Sequence, residues 1–493
     1  MANPPPKVRW TVFAVLALLA FAVRLPQLGE RPMHTDESVN AFITGELLAG
    51  HPYHYDPQDR HGPALYMLAE PLVRMLGTKS FADLTETQLR LTPVLTGTFM
   101  VLLFGAGVEM FGFTVCVVGA LLFAFAPLPL YYNRYFIHET LFVAATLGLI
   151  LSLWRALEAE SVWPAAVAGF CAALMLAVKE TCVIHFFALG IAAIAFRLAR
   201  PRKPGASAFK AVLAATAVFV LTAVVLFSWF EQNWRGLADL FRAVPSFAAR
   251  AGGEGHEKPV WYYARLLGGG WSGAALSGLA VIGLVFVIYD FARQKIFNAR
   301  VFISIYAVMI ALVYCAIPYK TPWLALNFWL PMALLGGVAV TRILERTGPS
   351  PVRWLWLLPA IILAGAMGHD VQKRVFQFPA AEENPYAYAH TGEDLLRLPA
   401  RLEQMAGEEK LTQPLIAVVA ADPWPLPWYL RKFSRTGFWQ PAQDPGAADF
   451  FITSPEAAEK LGDKLKNCRP EFFGVRPEVL MILWVPAAKE ASP

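Results

Sequence analysis

Arg197-Leu-Ala-Arg200-Pro-Arg202-Lys203-Pro-Gly-Ala-Ser-Ala-Phe209-Lys210 runs directly into Ala211-Val-Leu-Ala-Ala-Thr-Ala-Val-Phe-Val-Leu-Thr-Ala-Val-Val-Leu-Phe-Ser-Trp-Phe230, with no charge between Lys210 and Glu231. Roughly 17 to 25 apolar residues cross the ~30 Å of hydrocarbon in a bilayer as one helix. A short loop rich in Lys and Arg beside such a run marks its cytoplasmic end. Comparable runs lie near 9–28, 89–111, 113–131, 138–156, 162–179, 182–199, 209–230, 265–290, 300–318, 323–342 and 353–369. Composition agrees: 56% of the 493 residues are hydrophobic and only 16% charged, against ~25% charged in an average soluble domain. A chain with so few charges cannot cover itself in water. The predicted fold is an all-α polytopic membrane protein of about eleven transmembrane helices over residues 1–370.

Sidedness follows from the basic loops. With Lys7 and Arg9 inside, the inner loops carry Arg197, Arg200, Arg202, Lys203 and Lys210, then Arg293, Lys295 and Arg300, then Arg342, Arg346 and Arg353. An odd number of spans leaves the tail outside, in a multi-pass protein of the inner (plasma) membrane. The first run also resembles a secretory signal, with Ala20-Phe21-Ala22 near its end; cleavage there would not change the sidedness of anything downstream. On this topology all nine histidines fall on outer loops or outer span ends, and His34, His51, His54 and His61 lie within 28 residues. The net charge of +5 is a topology signal, and no basic run beside stacking aromatics points to nucleic acid. Cys116, Cys171, Cys182, Cys315 and Cys468 form no CxxC pair, so neither a disulfide framework nor a thiolate metal site is implied.

The tail, 371–493, reads as a small extracytoplasmic α/β domain. Runs at 414–420, 449–453 and 478–485 are predicted strands, and Ser454-Pro455-Glu456 opens a helix with a cap and a first-turn proline. No Gly-rich phosphate loop appears in it.

The outer loops hold the chemistry. Met33-His-Thr-Asp-Glu-Ser38 follows the first span; adjacent Asp36 and Glu37 there can supply a base and a cation ligand, or cap a helix beginning near Ser38. Tyr53-His-Tyr-Asp-Pro57 and Arg60-His-Gly-Pro63 follow. Tyr131-Tyr-Asn-Arg-Tyr-Phe-Ile-His-Glu139 packs Arg134, His138 and Glu139 between two spans; Arg134 and Glu139 could instead form a structural ion pair. Lys179-Glu180 sits at a span end. In Pro318-Tyr-Lys-Thr-Pro-Trp323 a lysine is framed by two prolines and two aromatics, a rigid presentation suited to a phosphate leaving group or to an interfacial anchor.

Taken together, His34-Thr-Asp-Glu37, Arg60-His-Gly-Pro63, Asn133-Arg-Tyr-Phe-Ile-His-Glu139, Lys179-Glu180, Pro318-Tyr-Lys-Thr-Pro-Trp323 and Trp424-Pro-Leu-Pro-Trp-Tyr-Leu-Arg431 resemble the GT-C glycosyltransferases. More narrowly they resemble the prokaryotic branch of flippase-activity-associated proteins, relatives of protein O-mannosyltransferases and lipid A aminoarabinose transferases. The resemblance implies inverting transfer of a sugar from a polyprenyl-phosphate carrier to a lipid, glycan or protein acceptor outside the cytoplasm. It implies Asp36 as general base with Glu37 positioning it or holding a cation. Arg134, Lys179 and Lys320 would stabilise the phosphate, and His61 and Glu139 would line the sugar site. His34, Arg60, His138, Glu180 and Tyr319 complete the expected substrate-binding set. A divalent cation is the candidate cofactor, with Glu37 and His61 as its candidate ligands. The competing class is a non-enzymatic flippase or transport partner; its mark would be ionisable groups near the bilayer midplane, whereas here they gather at one surface. A polysaccharide ligase with another lipid-linked donor would share the topology.

Overall fold

The computed structural model describes the chain apart from residues 1–2, 59, 202–204, 251, 254, 349–350 and 487–493, so Arg202 and Lys203 of the basic loop lie outside the described residues. Among the described residues nine helices are long and apolar enough to cross a membrane: Pro6–Arg24, Glu86–Ala106, Glu139–Ala159, Cys182–Ala199, Ala206–Phe227, Gly270–Gln294, Ala299–Ala316, Pro322–Thr347 and Trp354–Gln377. Two shorter apolar helices, Phe113–Phe125 and Val162–Val178, match the remaining two predicted runs. The first of these stops early because Ala126, ahead of Pro127, is extended, as a residue before proline prefers. The chain is a multi-pass membrane protein.

By packing, the chain forms two compact units, neither continuous in sequence. One comprises Met1–Leu28, Pro52–Leu72 and Arg90–Gln377, the other Gly29–His51, Val73–Leu89 and Phe378–Pro493. The second unit thus takes in two segments that precede the change of sequence texture near residue 370.

In the first unit burial sorts the helices. The apolar stretch of Pro322–Thr347 is 89% buried, against 11% for Ala206–Phe227 and 6% for Trp354–Gln377. The first is therefore a central helix, apolar on all sides because every side meets protein. The other two turn Phe209, Leu213, Leu221 and Ile361 outward, a surface suited to hydrocarbon rather than water. Small residues let helices approach closely: a Cβ at Gly337 would stand 2.4 Å from the carbonyl oxygen of Val115.

The second unit is built on a five-stranded sheet. Its strands are β1 (Ile416–Val419), β2 (Thr436–Trp439), β3 (Phe450–Thr453), β4 (Cys468–Arg476) and β5 (Val479–Pro486), in the order β2-β1-β3-β5-β4. β1 runs parallel to β2 and β3, and β5 antiparallel to β3 and β4. β1 and β3 are wholly buried, which is why each reads as an unbroken apolar run. One sheet face packs Ala417, Val419 and Phe451 against Ala457, Leu461 and Leu465. The helix at Pro455–Lys460 starts as expected, Ser454 Oγ accepting the Ala457 N–H at 3.2 Å. β2 and β4 escaped the sequence reading because both are edge strands with partly exposed residues, and edge strands lack a continuous apolar pattern. β4 is tied to the helix Leu398–Glu408 by a two-pronged ion pair, Arg401 to Glu471, with both contacts at 2.8 Å.

Candidate active site

The expected site residues divide between the two units. His34, Asp36 and Glu37 lie in the second; Arg60, His61, Arg134, His138, Glu139, Lys179, Glu180, Tyr319 and Lys320 lie in the first.

In the second unit the helix Thr35–Leu48 begins earlier than the Ser38 start considered from sequence, and its N-cap is His34 rather than the acidic pair. The His34 Nδ1 accepts the Asp36 N–H at 3.0 Å, which leaves Nε2 carrying the proton it donates to the Tyr388 carbonyl at 3.0 Å. That pair of contacts fixes the orientation of the imidazole ring. Glu37 completes a capping box, its Oε2 accepting the His34 N–H at 3.3 Å, and it faces Arg31 at 3.4 Å while fully buried. Asp36 differs: its side chain is 48% exposed. Glu37 is thus a holding group, whereas Asp36 presents a carboxylate to whatever approaches. Among the described residues no three His, Cys, Asp or Glu side chains converge on a common metal position. Of the two expected ligands, Glu37 faces Arg31 and His61 pairs with Glu180.

In the first unit a cavity of about 190 Å³ opens among loop ends. Ile184, Ile317 and Leu324 give it an apolar wall; His61, Lys179, Glu180, His256 and Tyr319 give it polar groups. His61 Nδ1 donates to Glu180 Oε2 at 2.8 Å, and the Tyr55 hydroxyl donates to Glu180 Oε1 at 2.8 Å. Burial pushes the Glu180 carboxyl up, but the His61 imidazole and these hydrogen bonds outweigh it and bring the pKa down to about 2. Lys179 pairs with Glu139, both nearly buried, so Glu139 stands behind the lysine as its counter-ion and is not itself among the cavity-lining residues. The alternative Arg134–Glu139 pair does not form: Arg134 donates to the Pro26 carbonyl and lies over the Phe376 ring at 4.6 Å. His138 packs edge-to-face on His61 with ring centres 5.0 Å apart; burial, then the neighbouring His61 and Lys179, keep it neutral. Arg60 is partly exposed beside His61. Lys320 is buried and donates to the carbonyls of Ile317 and of Lys258 at 3.2 Å, and burial holds its ammonium below the ordinary lysine range. It fastens the 317–320 turn to the segment at 256–258 and so places Tyr319.

The sequence reading passed over Tyr55, His256, Tyr314 and Phe247 as site residues. His256 was visible as one more outer histidine, but nothing local joined it to Glu180, 76 positions before it, or to His61, 195 positions before it.

Gly62 shows why the loop reads His61-Gly62-Pro63. A Cβ there would lie 2.2 Å from the carbonyl oxygen of Ala177, two residues before Lys179. Main chain cannot yield as a side chain can, so Gly62→Ala is expected to pull His61 away from Glu180. Overpacking of this kind costs about 1–3 kcal/mol, readable as a lower melting temperature in detergent together with reduced activity; an unchanged melting point would show that the loop has room to move.

The geometry can be set beside known proteins. The family profile of dolichyl-phosphate-mannose-protein mannosyltransferase matches residues 69–229, a stretch that holds Arg134, His138, Glu139, Lys179 and Glu180. No curated protein matches the sequence. The fold is similar to ArnT from Cupriavidus metallidurans bound to undecaprenyl phosphate, with TM-score 0.68 and 14% identity over 97% of this chain and 99% of that one. The chain has the GT-C fold. The archaeal oligosaccharyltransferase AglB from Archaeoglobus fulgidus, in complex with an inhibitory peptide and a dolichol-phosphate, shares that GT-C fold at TM-score 0.56 and 14% identity, over 97% of this chain and 76% of that chain. At this level of identity the likeness concerns the path of the GT-C backbone, and the site rests on the side chains described above.

Proposed function

We propose that this chain is an inverting membrane glycosyltransferase that moves a sugar from a polyprenyl-phosphate donor to an acceptor hydroxyl on the extracytoplasmic face of the inner membrane. The observation that carries the reading is the 190 Å³ cavity, in which Lys179, His61 and Glu180 meet an apolar wall. A phosphate at the end of a lipid chain needs that combination: a cation for its charge and an apolar approach for its chain. The acceptor oxygen attacks the anomeric carbon, the bond from that carbon to the phosphate oxygen breaks, and the acceptor proton passes to Asp36. The phosphate keeps the electron pair, and preorganised cations stabilise the charge it gains. Of the three cations expected to serve there, Lys179 lines the cavity, while Arg134 and Lys320 are bound to main-chain carbonyls. Lys179 is the phosphate-binding group, and Arg134 and Lys320 shape the loops around it. The matching mannosyltransferase profile favours a transferase over the non-enzymatic export partner.

Lipid-linked glycan profiling separates the two readings. A deletion strain and an Asp36→Asn strain should accumulate the same unused donor lipid. A deletion effect that Asp36→Asn fully complements would instead indicate the non-enzymatic role. Sidedness has its own check: a reporter active only outside the cytoplasm should be active when fused after residue 400 and silent near Arg200. The reverse pattern would turn every motif to the cytoplasm and remove the proposal.

A further inference from the structure

The second unit joins the Asp36 segment to the C-terminal sheet by contacts that span most of the sequence. The Met33 N–H donates to the Tyr429 hydroxyl at 2.8 Å, and Thr391 Oγ1 donates to the Met33 carbonyl at 2.6 Å. The Ser38 hydroxyl donates to the Pro425 carbonyl at 3.3 Å, and His34 reaches Tyr388 as described. Arg476 completes the set. It ends β4 beyond a shift in register between Gly474 and Arg476, and such a bulge re-aims the side chain that follows it. Its Nη1 donates to Thr35 Oγ1 at 3.3 Å and to the Trp424 carbonyl at 3.2 Å, and its Nη2 donates to Asp422 Oδ2 at 2.7 Å. One planar, rigid fork thus binds the first residue of the Asp36 helix, the turn after β1 and a carboxylate in that turn.

We infer that Arg476 is a positioning residue for Asp36, and that the C-terminal domain serves as the scaffold of the catalytic base. Residues 33–38 are held on both sides of Asp36, yet the Asp36 carboxylate remains half exposed. A base must lie within hydrogen-bond reach of the proton it takes, and a displacement of about 1 Å can cost 10²-fold in rate. Thr35 precedes Asp36 directly, so a movement of Thr35 is a movement of Asp36. The inference rests on Asp36 acting as the base.

The test uses purified full-length protein in detergent, with total lipid extract from host membranes as donor source and released polyprenyl phosphate as readout. Thr35→Val removes the acceptor of one arginine bond and leaves Arg476 on Asp422 and Trp424; Thr35→Ser restores the hydroxyl. Thr35→Val should lower turnover roughly ten-fold, the equivalent of one hydrogen bond to a charged group, with unchanged KM for donor and unchanged melting. Thr35→Ser should recover most of that loss. Arg476→Met should reduce turnover further and speed amide hydrogen exchange at residues 33–38. Should Arg476→Met fail to fold, the Thr35 pair decides alone. Wild-type turnover in Thr35→Val, or a loss that Thr35→Ser does not recover, overturns the inference. Asp36→Asn measured alongside separates the two failures. If it is inactive while the Thr35 and Arg476 variants turn over normally, the clamp falls and the base stands. If it transfers normally, the base assignment itself falls.

Discussion

Asp36→Asn is expected to lower glycosyl transfer by about 10²–10⁴-fold, the usual contribution of general base catalysis, while donor binding changes little. The substitution keeps the shape and hydrogen-bonding reach of the side chain and removes only the proton acceptor. Folding should survive, for two reasons visible in the structure. The N-cap of this helix is His34, not Asp36, and the carboxylate of Asp36 is half exposed, so no buried partner is orphaned. The loss should therefore appear in turnover and not in KM, which identifies an interaction made in the transition state. Purified protein, a transfer assay and a melting curve in detergent suffice. Full transfer by a well-folded Asp36→Asn protein would remove Asp36 from the mechanism. Glu37→Gln should behave differently, because Glu37 is buried against Arg31 and its loss should lower stability first.

Lys179→Met should produce the second large effect, on stability and activity together. Lys179 and Glu139 form an ion pair whose side chains are 11% and 4% exposed. Removing one partner of a buried pair leaves the other charge uncompensated, which costs about 3–5 kcal/mol. The double variant Lys179→Met/Glu139→Gln removes both charges and should recover most of the lost melting temperature, since the two residues act as one unit. Transfer should stay low in both if Lys179 also holds the donor phosphate. A double variant that regains both stability and transfer would confine Lys179 to a structural role.

Part of this protein can be read locally. Among the described residues nine of the eleven predicted runs form helices long and apolar enough to cross a membrane, because length and composition of a run are properties of the run alone, and the bilayer sets the required length. The buried strands β1 and β3 were legible for the same reason, as was the Ser454 cap, whose signal occupies three consecutive residues. Pairing was not legible. His61 and Glu180 are 119 residues apart and Lys179 and Glu139 are 40 apart, and nothing in either segment names the other. The rigid frame around Lys320 could be seen, but not that its ammonium would be taken up by two carbonyls. Asp36 and Glu37 mark the limit most clearly. In sequence they are equivalent adjacent acids at the start of a helix. A helix turns once every 3.6 residues, so neighbours point ~100° apart, and only the packing around Thr35–Leu48 decided that Glu37 would be buried against Arg31 while Asp36 faced outward.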